Sequence, residues 1–115
     1  MIVFVFGSNL AGRHLAGAAK NAREYYGALL GHGKGMMGQS YAVPTKDRDL
    51  KTLSLAEIKR HVDDFKDFAQ RRHDLIFLVT ALGCGLASYK HEEIASMFKD
   101  APGNCYFDKR WAPYL

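Results

Sequence analysis

Two short apolar runs, each leading into a glycine turn, constrain this chain more than any other feature. Ile2 to Phe6 (IVFVF) stops at Gly7, and Leu75 to Thr80 (LIFLVT) leads to Gly83-Cys84-Gly85. Runs this short do not make helices, and β-branched and aromatic residues without polar alternation predict strands buried on both faces. Strands of that kind belong to parallel sheets covered by helices.

The intervening segments supply the helices. His14 to Tyr26 places Leu15, Ala18, Ala19, Ala22 and Tyr25 on one stripe, with Gly27 as a stop. Ser54 and Glu57 form a capping box, and Leu55, Ile58, Val62, Phe65, Phe68 and Ala69 follow at helical spacing. A short helix is expected from Lys90 to Phe98, with Glu92 and Glu93 in the first turn, where the helix dipole favours carboxylates. Ser40 to Val43 predicts a strand ended by Pro44, which lacks the N–H of a central ladder, and Asn104 to Phe107 predicts the last strand. Between Gly27 and Gly38 five glycines in twelve residues predict a loop, of a length that is usually functional. The order β-α-β-α-β-α-β predicts an α/β fold with a mostly parallel central sheet and helices on both faces. The 115 residues suit a single domain spanning 1–115.

Several classes are excluded. No apolar run approaches the roughly 20 residues of a membrane span, so no membrane partner is expected. The first apolar segment has no basic flank, unlike a signal peptide. Two distant cysteines, Cys84 and Cys105, predict neither a disulfide framework nor a zinc site, and a reducing cytoplasm is the expected location. Five histidines, His14, His32, His61, His73 and His91, are too scattered for a metal site. The net charge of +4 is concentrated: residues 1–46 hold Arg13, Lys20, Arg23, Lys34 and Lys46 against Glu24 alone, while the remainder carries eleven of each sign. Without aromatic interleaving or a dense basic run, this does not predict extended nucleic acid as a partner. No feature sets an oligomeric state.

In open α/β sheets ligands bind beyond the carboxyl ends of the strands. After the first strand comes Gly7-Ser8-Asn9-Leu10-Ala11-Gly12-Arg13-His14-Leu15-Ala16-Gly17, running into a helix N-terminus, where free N–H groups and the dipole attract anions. Its spacing is neither a dinucleotide fingerprint nor a P-loop; a glycine turn without a ligand is the plain alternative. After the second comes Pro44-Thr45-Lys46-Asp47. Lys46 is either a point charge for phosphate, a desolvated nucleophile or base, or a solvated partner of Asp47 or Asp49. After the third come Gly83, Cys84 and Gly85, glycines that let backbone approach a ligand closely. Cys84 lacks a motif tying it to a histidine base and reads as structural before catalytic. Tyr89 is either a stacking platform or a core side chain, and His14 is placed to touch a ligand.

Together, in this order, the three loops resemble the macro domain superfamily of ADP-ribose-binding modules. Gly12 to Ala19 (GRHLAGAA) is similar to the loop and helix start that wraps the distal ribose and diphosphate. Gly38 to Lys46 (GQSYAVPTK) is similar to the following strand with its terminal Thr-Lys. Leu82 to Leu86 (LGCGL) is similar to the second phosphate loop, above all in the branch of terminal ADP-ribose protein glycohydrolases. The chain as a whole resembles small macro-like proteins of phages and prophages.

The resemblance implies a three-layer α/β/α arrangement binding ADP-ribose or a related nucleotide diphosphate, with no cofactor. In the first loop it assigns Ser8, Asn9, Gly12, Arg13, His14, Ala16 and Gly17 to the ligand, Asn9 meeting the ribose hydroxyls. Thr45 follows from the second loop, and Gly83, Cys84, Gly85, Leu86, Ala87 and Tyr89 from the third. It also implies an alternative, hydrolytic removal of ADP-ribose from modified macromolecules, with Lys46 as the catalytic residue. There the chain departs from the pattern: the aspartate that follows the Gly-Cys-Gly-Leu string is Ala87 here, which leaves Asp47 as the candidate carboxylate. The family's adenine-reading aspartate also has no counterpart, because the chain starts at the next strand. A third reading, from another class, is a nucleic-acid or protein interaction module docking through the basic half.

Overall fold

The computed structural model describes every residue except Leu86. Its strands are β1 (Ile2–Asn9), β2 (Gly35–Met37), β3 (Ser40–Lys46), β4 (Ile76–Val79) and β5 (Cys105–Phe107). They form one sheet in the order β2-β3-β1-β4-β5. β3, β1, β4 and β5 run parallel, and β2 closes one edge antiparallel to β3. The first apolar run is therefore the centre of the sheet, Val5 lying between Tyr41 and Val79.

Helices α1 (Gly17–Tyr25), α2 (Leu55–Arg71) and α3 (His91–Ala95) connect the parallel strands. The chain passes from β1 through α1 to β3 in one direction, then through α2 and α3 to β4 and β5 in the other. A right-handed crossover reverses face when it reverses direction, so α2 and α3 share one face and α1 has the other alone. On the α2 face, Val3, Val5, Val43, Phe77 and Val79 pack with Ile58, Val62, Phe65, Ile94 and Trp111. On the α1 face the buried cluster is small: Phe6, Ala22, Ala28, Met37 and Ala42.

Local chemistry explains the longest helix. Ser54 and Glu57 make the reciprocal capping box, and Ile58, Val62, Phe65 and Ala69 form its buried stripe. Its last carbonyls are met from outside, because the Asn104 side-chain amide donates to the carbonyls of Ala69, Arg72 and Leu75. The one side chain thereby ties the end of α2 to the approaches of β4 and β5.

Four expectations need correction. The strands built from the apolar runs are not buried on both faces. Val3, Val5, Phe77 and Val79 are inside, but Ile2, Ile76 and Leu78 are exposed, because α1 covers only the end of β1 near Phe6. α1 starts at Gly17 rather than His14, and of its apolar stripe only Ala22 is buried, with Leu15 and Tyr25 exposed. The glycine-rich segment is not all loop, since Gly35–Met37 pairs with Ser40–Ala42. β3 does not stop at Pro44 but continues to Lys46. β2 reaches only to Ala42 and the next partner on that edge, Thr52, meets β3 at Lys46, so Pro44 falls in a gap of the ladder, where a strand tolerates proline.

The rings of Tyr41, Phe77 and Phe98 all meet Phe65, itself fully buried. Phe65→Ala is expected to cost about 3–5 kcal/mol, read as a lower urea midpoint with an unchanged slope.

Candidate functional site

The carboxyl ends of β1, β3 and β4 meet at the point where the chain reverses direction across the sheet, and a cavity of about 700 Å³ opens there. Its walls come from Ser8 and Asn9 at the end of β1, Arg13 after it, Ala16 to Ala19 at the start of α1, and Thr45 and Lys46 at the end of β3. Thr80 to Gly83, Gly85 and Ala87 follow β4, and Asp108 and Arg110 follow β5.

The polar side chains at the back of the cavity hold the loops rather than reach into it. Asn9 is buried; its amide donates to the Arg13 carbonyl and its carbonyl accepts from the Arg13 N–H, both at 2.9 Å. That bidentate clamp shapes the loop and takes the polar atoms expected to meet ribose hydroxyls. The Ser8 hydroxyl donates to the Gly33 carbonyl and the Thr45 hydroxyl to the Ser8 carbonyl. Gly12 has a backbone φ of 72°, and a Cβ there would lie 2.3 Å from the His32 nitrogen. Its glycine is required by the crossing of two loops, and it does not line the cavity.

Besides apolar side chains and the Asp108–Arg110 pair, the cavity is lined by backbone and by the basic side chains of Arg13 and Lys46. Ala16 is the N-cap of α1 and offers no side-chain hydrogen bond, and the first turn carries no acidic residue. The first N–H groups of this nine-residue helix are thus left without an internal partner, where the dipole favours an anion. Gly17, with φ of 58°, turns the chain into the helix with open space where a Cβ would be. Arg13 is exposed and Lys46 half-buried, and among the described residues neither makes an ion pair. The expected pairing of Lys46 with Asp47 or Asp49 is absent. The Asp47 carboxylate instead accepts from the Asp49 and Lys51 N–H groups at 2.8 and 3.0 Å, organising the turn after β3 outside the cavity lining.

Other expected residues lie elsewhere. His14 is fully buried, its ring edge-on to Phe6 and its Nε2 2.8 Å from the His32 carbonyl. The Tyr89 hydroxyl donates to the Leu53 carbonyl at 2.6 Å, and its ring packs on the main core. Cys84 also packs on that core; burial raises its thiol pKa, the opposite of an activated nucleophile. Leu86 lies outside the described residues. Among the described residues no three His, Cys, Asp or Glu side chains gather as a metal site.

Asp108 and Arg110 were missed by reading only the loops after the first three strands. The same rule applied to the last strand finds them, because β5 runs parallel to β4 and ends at the same edge. Arg110 grips Asp108 through Nε and Nη2, both at 2.9 Å, and its backbone N–H adds a third bond. Those hydrogen bonds, side chain first and backbone second, hold the Asp108 carboxyl down to about 2.

No family model matches this chain, no curated protein matches its sequence and no solved structure matches its fold.

The folded Asp108 pKa lies below its ordinary 3.8, so the pair's contribution is present above that pH and disappears as pH falls through about 2. Carboxyl NMR titration is expected to find Asp108 near 2 in the wild type, moving up towards 3.8 in Arg110→Ala.

Proposed function

We propose that the chain binds ADP-ribose or a related nucleotide diphosphate, as a macro-like α/β/α domain acting in the cytoplasm. The observation that carries this reading is the uncapped, acid-free N-terminus of α1 opening into a cavity also lined by Arg13 and Lys46. A diphosphate is the guest that uses all three, taking N–H donors from the helix start, a guanidinium fork from Arg13 and a point charge from Lys46. The glycine turn at Gly83 and Gly85 brings further backbone to the same cavity. Its volume lies within the range of small-molecule sites.

The loop residues act by shape. Asn9 fixes the backbone of Arg13, Ser8 fixes the Gly33 segment, and Thr45 fixes Ser8, so the donors are held in place before the ligand arrives. That preorganisation lowers the cost of ordering on binding. Positive charge without a counter-ion inside a concave site also steers an anion towards it.

A second reading, ADP-ribosyl hydrolysis, is favoured by one observation: Lys46 faces the cavity and is not neutralised by an ion pair among the described residues. Asp47 does not serve that reaction, since its carboxylate is taken by the turn it caps. Of the lining residues Asp108 is the carboxylate, and it is committed to Arg110.

Calorimetric titration with ADP-ribose tests the proposal. Arg13→Ala and Lys46→Ala are each expected to weaken binding at least tenfold, the loss of a charged hydrogen bond worth about 1.5–3 kcal/mol. Ala16→Asp separates site from scaffold: an N-cap aspartate adds about 1 kcal/mol of stability, yet it places a carboxylate where the diphosphate binds and reduces affinity. No heat at millimolar ADP-ribose overturns the reading. Turnover of an ADP-ribosylated protein by the wild type, lost in Lys46→Ala, assigns the hydrolase.

A further inference from the structure

The turn after β3 stays outside the cavity at every residue but one. Of residues 47–51 Leu50 alone lines it, with 42% of its surface exposed. The turn is a tight reversal. The Leu50 N–H donates to the Asp47 carbonyl at 3.2 Å and the Asp47 N–H to the Lys51 carbonyl at 2.8 Å, while Lys46 pairs antiparallel with Thr52. A hairpin closed in this way, by a four-residue turn and one bulged residue, holds the bulged residue in the left-handed region, where glycine sits without strain. Here that position is Leu50, at a φ of 64°.

Leucine is a costly occupant. Its Cβ crowds the following carbonyl, and unlike asparagine it has no polar group to bond the nearby backbone in compensation. Core packing does not account for it, because Leu50 belongs to neither buried cluster. The surroundings enforce the conformation. The Asp47 carboxylate accepts from the Asp49 and Lys51 N–H groups, and just past the turn the Leu53 N–H donates to the Thr45 carbonyl at 2.9 Å. Strained residues held by over-determined surroundings gather at ligand clamps, and this one has its side chain on a cavity wall.

The loop after β1 carries a similar combination. Leu15, 60% exposed, follows Arg13 there as Leu50 follows Lys46 here, so each loop brings one cation and one exposed leucine to the same cavity. An inorganic anion would engage the cations and leave both leucines in water. A nucleotide engages all four, its phosphates meeting charge and its ring faces meeting apolar side chains.

We propose that Leu50 is a specificity-determining contact of this cavity, its side chain closing over the nucleoside part of a bound nucleotide. Leu50 thereby adds, to the nucleotide diphosphate reading on which this rests, the residue that selects a nucleoside over a bare phosphate. Asp47, outside the cavity lining, is a positioning residue that holds Leu50 in its strained conformation.

Calorimetric titration with ADP-ribose at several temperatures, together with thermal melts, tests the assignment. Leu50→Asn exchanges the apolar side chain for one that tolerates a positive φ. It is expected to bind about tenfold more weakly, with a less negative heat-capacity change because less apolar surface is buried, and to melt no lower than the wild type. Leu50→Met, apolar and of similar length, is expected to retain both the affinity and the heat-capacity change. Equal affinity in the wild type and Leu50→Asn overturns the assignment and leaves the binding reading standing. Weaker binding with an unchanged heat-capacity change overturns it in favour of an effect through Lys46, and a lowered midpoint in Leu50→Asn overturns it in favour of a role in folding. A wild type that gives no heat with millimolar ADP-ribose overturns the binding reading and this assignment with it.

Discussion

The parallel pairing of β1 with both β3 and β4 is the constraint on which the remaining structure depends. A strand that receives partners on both sides must be reached from opposite directions, and right-handed crossovers then assign the helices to opposite faces. The cavity is a consequence of that reversal. At the carboxyl ends of β1, β3 and β4 the connections diverge, and the space between them is lined by turns rather than by helices packed side by side. The bare apolar surface on β4 and β5 has the same origin, since a single connection runs over that face.

The cavity is built from side chains that bind backbone and backbone left to bind something else. Asn9, Ser8 and Thr45 spend their hydrogen bonds on neighbouring carbonyls and N–H groups, while the start of α1 has no cap of its own. Buried polar groups that are satisfied internally rigidify a loop; an uncapped helix start with no carboxylate near it leaves donors available. The division of labour suits an anionic guest held by many weak contacts. It also explains why the glycines matter in different ways: Gly12 lets two loops cross, whereas Gly17 turns the chain at the cavity wall.

Much of the fold was legible in particular residues. The capping box at Ser54 and Glu57 and the stripe ending at Ala69 reproduce α2, and the two apolar runs reproduce β1 and β4 as neighbours in a parallel sheet. β2 was hidden because three residues among glycines carry no periodicity, and they hold as a strand only beside Ser40 to Ala42. At the site, the cluster of Arg13, Ala16, Gly17, Lys46 and Gly83 was visible as loops that should converge. The burial of His14 and the use of Tyr89 in the core were not, because a loop residue's orientation depends on what crosses above it.

The sequence by itself determined the two apolar strands, the capped helix α2 and where positive charge and glycine coincide, because these follow from local sterics and side-chain periodicity. Tertiary structure alone decided which face of each strand is covered, since an apolar run reads the same whether a helix packs on one side or on both. It also decided that Asp47, capping its turn, lies outside the cavity while the local Asp108–Arg110 pair lies in its wall, a placement set by β5 ending at the same edge as β4. The contacts themselves are local, but the walls of the cavity come from segments far apart in the chain, and only the order of strands in the sheet brings those within reach.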